Sequence, residues 1–133
     1  MKYQSGYKYQ TVARTIFSTR LRPSQTVHAY FITLYPSGVM IIDRGYAWDG
    51  ASGPTWDTKN SMTPSLYHDA AAQLMRLGLL DQKWRIPSNE EFGDMLKARG
   101  MSWLRRKIWV RELNKFGGPS TDPKNRRPIL EAP

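Results

Sequence analysis

Two kinds of spacing divide the chain. Before Asp43 the apolar residues come in short runs rich in β-branched and aromatic side chains, which suit extended strands. The first such run spans residues 7–17. Residues 20–26, with Pro23 and Ser24, predict a loop. A second strand over residues 27–35 is joined through Pro36-Ser37-Gly38 to a third over residues 39–42, and the short Pro/Gly connection predicts a hairpin. The third run, Val39-Met40-Ile41-Ile42, is apolar throughout and is expected inside the sheet.

Beyond Pro64 the spacing changes to threes and fours. Leu66, Ala70, Leu74 and Leu77 fall on one helical face, with Thr63 as capping hydroxyl, Pro64 at the first helical position and Gly78 as the stop. A second helix is expected to open on a capping box at Ser88-Asn89-Glu90-Glu91, with Phe92, Met95 and Leu96 as its apolar side. A third begins near Ser102 and ends before Gly117-Gly118-Pro119. Leu104, Ile108, Trp109, Leu113 and Phe116 are spaced to pack inward, with the arginines facing out. The fold expected is α+β, a small N-terminal antiparallel sheet packed beside about three C-terminal helices. Residues 1–118 form a single domain on this reading. Residues 119–133, with four prolines and no periodicity, form an extended basic arm.

Composition narrows the partners. A net charge of +9 over 133 residues is large, and between positions 97 and 127 ten lysines and arginines face only Glu112 and Asp122. Arg105, Arg106, Lys107, Arg111 and Lys115 are therefore expected in one exposed patch that attracts an anionic surface. That surface is phospholipid head groups, an acidic protein such as a virion neighbour, or nucleic acid. There is no cysteine, which excludes disulfides, thiolate metal sites and cysteine nucleophiles. No apolar run is long enough to cross a bilayer, and the first residues lead into no signal-type stretch. The expectation is a protein made in a cytoplasm.

Candidate chemistry collects in one place. Gly45-Tyr46-Ala47-Trp48-Asp49-Gly50-Ala51-Ser52-Gly53-Pro54 puts a carboxylate before a glycine-rich turn that can aim backbone carbonyls inward. Downstream, His68 and Asp69 are adjacent on a helix, where neighbours project about 100° apart and can reach one cleft at different points. Asp69 would then hold a hard cation with Asp49 and loop carbonyls such as that of Gly50. His68 would take a proton from a water aimed at an ester or amide carbonyl. Calcium suits oxygen ligands in irregular number, whereas zinc would want more imidazole or thiolate than this chain has. The competing account makes Asp49 the cap of a tight turn and His68-Asp69 part of a buried hydrogen-bond network. His28, in a strand, is assigned a local hydrogen bond rather than a ligand role.

These residues resemble a phage and prophage family catalogued as domain of unknown function 1353. Its pattern is a Gly-Tyr/Phe-x-x-Asp-Gly-Ala-Ser loop, a Ser-x-x-His-Asp helix, an Asp-x-x-Phe helix and a closing helix ending in Phe-Gly. Here those are residues 45–54, 65–69, 89–92 and 108–117. More distantly, Asp49-Gly50-Ala51-Ser52, Pro54, His68-Asp69, Arg85 and Phe92-Gly93-Asp94-Met95 look like the bacterial phospholipase A2 pattern. That second resemblance implies His68 as general base, Asp49 and Asp69 as calcium ligands, and Asn89 as the partner that orients His68. The pattern has a carboxylate where Asn89 stands. An asparagine orients an imidazole by hydrogen bond but adds no charge to stabilise the imidazolium.

Three functions follow as expectations. The first is a calcium-dependent ester hydrolase of phage type. The second is a non-catalytic virion tail or assembly component that binds a neighbour through the basic helix and arm. The third, a nucleic-acid binder, rests on charge alone.

Overall fold

The computed structural model describes residues 9–48 and 59–116, apart from the side chains at 59–61, 109 and 116. Within them the chain is α+β. Strands β1 (Tyr9–Gln10), β2 (Thr15–Ser18), β3 (Val27–Ala29), β4 (Ile32–Leu34), β5 (Val39–Ile42) and β6 (Ala47–Trp48) precede three helices. The helices are α1 (Lys59–Arg76), α2 (Arg85–Ala98) and α3 (Trp103–Phe116), with a turn of 3-10 helix, Gln82–Trp84, before α2. Residues 119–133, expected as an arm, lie outside the described residues.

Strands β2, β5, β4 and β3 form an antiparallel sheet in that order, so the all-apolar run 39–42 is an interior strand. Alternation sets its faces: Phe17, Leu34 and Met40 point to the core, while Ile16 is 64% exposed. The expected first strand breaks in two. Thr11, buried, donates its Oγ1 hydrogen to Asp43 O at 3.0 Å and accepts from Tyr46 N at 3.0 Å. There the chain leaves β1, which pairs with β6, before entering β2.

The expected second strand is also two, joined by a tight turn at Tyr30 and Phe31. Phe31 has φ +66°, a conformation that costs a non-glycine residue of order 1–3 kcal/mol. Its carbonyl accepts from Asp43 N at 2.7 Å and its side chain packs on the core. Those contacts offset the strain, and no Asn-Gly signal announces the turn.

Helix α1 starts at Lys59, so Pro64 lies inside it rather than at its first position. Its missing N–H forfeits one bond near the helix start, and Pro64 is itself fully buried. Leu66, Tyr67, Ala70, Ala71, Leu74 and Met75 pack on the sheet's inner face in the main core. Gly78 stops the helix at φ +73°, a conformation glycine adopts without steric cost, as Leu79 N reaches back to Leu74 O.

Helix α2 does not open on the expected capping box. It starts three residues earlier, after Asp81 has capped the 3-10 turn by accepting from Lys83 N at 2.8 Å. Ser88 Oγ instead donates to Arg85 O, at 2.7 Å. Glu91 turns away to the core, where its carboxylate accepts from Arg20 N at 2.9 and 3.0 Å and from the Tyr67 hydroxyl at 2.7 Å. One buried side chain thus ties α2 to α1 and to the loop after β2. Burial, then the Glu91 charge, pushes the Tyr67 hydroxyl's pKa far up, which keeps it a donor.

Helix α3 occupies its expected span but not its expected orientation. Leu104 and Ile108, predicted to pack inward, are 62% and 44% exposed. Arg105 and Arg106, predicted to face out in the basic patch, are half-buried, while Lys107, Arg111 and Lys115 are exposed. The phase is set by α2. A Cβ built on Gly93 would stand 2.6 Å from Val110 Cγ2, so only glycine admits α3 this close. Leu113 closes a second, smaller cluster with Phe92, Leu96 and Met101.

Candidate functional site

Strand β6 and the turn before it are laid onto α1 through two aromatic side chains. Tyr46 OH donates to Asp69 Oδ2 at 2.5 Å, and Trp48 Nε1 donates to Ser65 Oγ at 3.1 Å. Ser65 and Asp69 are four residues apart and share one face of the helix, while Tyr46 and Trp48 are two apart and share one face of the strand. The two periodicities match. Tyr9 adds a ring against Trp48 at 5.6 Å. At Gly45, φ +100°, the backbone turns where an added Cβ would come within 3.1 Å of the Phe31 ring.

On the next position of α1, His68 faces α2. Its Nε2 lies 2.5 Å from Asn89 Oδ1, and Asn89 Nδ2 donates to Asn114 Oδ1 at 2.8 Å. A relay of side chains therefore joins all three helices. A carbonyl oxygen only accepts, so with Asn89 turned this way the His68 proton sits on Nε2 and the lone pair on Nδ1. Asn89 is 2% exposed, and the Phe92 ring packs on the imidazole at 5.2 Å. Arg85 Nη1 reaches the Leu113 and Asn114 carbonyls at 3.4 and 3.3 Å, a cation on the closing turn of α3 that holds Asn114 in place.

Burial lowers the His68 pKa from its ordinary value. The Asn89 bond and the Asp69 charge oppose that shift, and the Arg76 charge adds to it. Burial thus favours the neutral imidazole over the imidazolium.

The candidate residues are thus distributed unevenly. His68 and Asn89 are in contact. Asp69 shares the helix with His68 but is directed to Tyr46. Asp49 and Gly50 lie outside the described residues, as does the rest of the glycine-rich turn. Among the described residues no group of three or more His, Asp or Glu side chains gathers that could hold a metal ion. His28 Nδ1 meets Thr33 Oγ1 at 2.9 Å across the β3–β4 pair. The reading of the residues missed Asn114 and the hydroxyl role of Tyr46. Asn114 is 25 positions from Asn89, and no local spacing marks such a pair.

No family model, curated protein or solved structure matches the chain. No helix among the described residues is long and apolar enough to cross a membrane.

Proposed function

We propose that the chain is an ester hydrolase of phage type in which His68 is the general base. The observation that carries this reading is the relay His68, Asn89, Asn114, which holds a neutral imidazole with its proton on Nε2 and its basic Nδ1 unprotonated. In the reaction, Nδ1 takes a proton from water as the water oxygen bonds to the ester carbonyl carbon. The bond from that carbon to the alcohol oxygen then breaks, and the imidazolium returns the proton to the leaving alkoxide. Asn89 accepts from Nε2 throughout, so the ring keeps its angle while its charge changes. Asp69, fixed by Tyr46, would hold a calcium ion with Asp49 and Gly50; when bound, the ion polarises the ester carbonyl.

The test is hydrolysis of a soluble chromogenic ester with and without calcium, paired with melting curves. His68→Ala should lower the rate by about 100-fold or more and leave the calcium-induced rise in melting temperature intact. Asp69→Asn should remove that rise. Asn89→Asp should raise the His68 pKa, read by imidazole NMR, and increase the rate. A wild-type chain and an Asn89→Asp variant both without hydrolysis sink the proposal.

A second reading, a non-catalytic virion tail or assembly component made in a host cytoplasm, draws on one observation. The same relay is a neutral bridge between three helices, and Asn89 brings no charge to stabilise an imidazolium. On that reading His68→Gln lowers stability and changes no rate.

A further inference from the structure

The His68 relay has a direction, and the direction is decided at its far end. A primary amide turned over exchanges Oδ1 and Nδ2 in nearly the same positions, so the Asn89 side chain fits its place either way round. With Oδ1 toward the ring, at 2.5 Å, the imidazole donates from Nε2 and leaves Nδ1 bare. Turned over, Nδ2 would donate to Nε2 and the ring proton would belong to Nδ1. Among the described residues no hydrogen bond to Nδ1 fixes the tautomer from the other side. Asn89 is 2% exposed and does not have water to serve whichever group is left over. Its Nδ2 needs a protein acceptor, and the one it meets is Asn114 Oδ1 at 2.8 Å. Buried N–H groups are left without a partner more rarely than buried carbonyl oxygens, so the amide takes the orientation in which its nitrogen is served.

We propose that Asn114 is a positioning residue. By offering an acceptor to Asn89 Nδ2 it keeps the Asn89 carbonyl oxygen on His68 and the ring proton on Nε2. Two contacts fix the backbone from which it reaches. Arg85 Nη1 donates to the Leu113 and Asn114 carbonyls at 3.4 and 3.3 Å, and Val110, one turn earlier on the same face, seats against Gly93. Asn114 is half-buried and lines the open groove between α2 and α3, so its own Nδ2 is left to solvent without the penalty that Asn89 would meet. A mere bridge between helices would be served by a donor or an acceptor at position 114, whereas setting the tautomer requires an acceptor. The value of the bare Nδ1 as a base rests on the hydrolase reading; the tautomer itself does not.

The experiment is nitrogen NMR of the His68 ring in the full chain, without substrate or calcium, at about pH 8, above the ordinary histidine pKa of about 6.5. His28→Gln, used as the background throughout, leaves one histidine to observe. In that background Nε2 should carry the proton. Asn114→Asp, of the same size and acceptor only, should keep it there. Asn114→Leu, of similar size with no acceptor, should turn Asn89 over and raise the share of the Nδ1–H form about fivefold or more relative to its background; Asn114→Ala replaces it should the leucine variant not fold. Adding Asn89→Asp to the leucine variant should restore the Nε2–H form, because a carboxylate accepts from Nε2 whichever way it is turned, and loosened packing would not be repaired in this way. A proton on Nδ1 before Asn114 is changed, a folded Asn114→Leu or Asn114→Ala chain with the tautomer unaltered, or a shift that Asn89→Asp fails to reverse overturns the proposal. Rates on the chromogenic ester are read separately. The expected tautomers with no hydrolysis sink the hydrolase reading and leave this inference standing, while hydrolysis with a tautomer indifferent to position 114 does the reverse.

Discussion

Helices α1 and α3 carry apolar residues at similar spacing and use them in opposite ways. On α1 Leu66, Ala70 and Leu74 are buried, and the polar side chains of the same helix, Ser65, His68 and Asp69, each reach a partner on another element. On α3 Leu104 and Ile108 stand in solvent while Arg106 is half-buried, its Nε sheltered and without a hydrogen-bond partner among the described residues. The difference comes from what each helix packs against. A sheet offers α1 a broad apolar face, so hydrophobic area sets its orientation. Helix α3 meets one narrow helix surface, where a glycine and an asparagine set the phase. Apolar spacing thus reveals a helix in both cases and its buried face only where the partner surface is large.

The contrast can be broken at several points. The largest expected effect is at the α1–α2 junction. Glu91→Ala strips the Arg20 amide and the Tyr67 hydroxyl of their acceptor, and with each buried unpaired group costing about 1–3 kcal/mol the loss should be about 3 kcal/mol. A fall in the urea midpoint measures it, and Glu91→Gln, which keeps an acceptor oxygen, should lose less. A smaller effect belongs to His68, whose pKa burial holds below its ordinary value of about 6.5. Below pH 6.5 the unfolded chain takes up a proton that the folded chain refuses. The unfolded state then binds more protons, so stability is full above that pH, declines as pH falls toward the folded pKa, and levels off beneath it. Denaturant titrations across that window should show the decline, and His68→Gln should flatten it. The smallest effect is on the outer side of α3, where Leu104→Ser should change stability by no more than about 0.5 kcal/mol. A loss as large as that from Glu91→Ala would mean that Leu104 belongs to the core after all and would erase the distinction between the two helices.

Much of the fold was legible in the residues. Runs rich in β-branched and aromatic residues marked strands before Asp43, the Pro36-Ser37-Gly38 connection marked the β4–β5 hairpin, and three helices appeared where apolar residues recur at threes and fours. The phospholipase-like resemblance also implied a pairing of His68 with Asn89, 21 positions apart, and the two side chains meet at 2.5 Å. These signals are local, or reside in a motif that can be read without coordinates. What escaped was long-range. The turn at Phe31 exists because Asp43 and the core hold a phenylalanine where a glycine is usual, and Glu91 left its expected cap because two buried donors lay within reach across the core. Asn114 became the anchor of the relay, and Leu104 and Ile108 an outer face, only once Gly93 let α3 approach α2 at one rotation. Backbone propensity and spacing are properties of neighbours along the chain, whereas the partner of a side chain and the rotation of a helix follow from packing between segments distant in sequence; those only the tertiary structure decided.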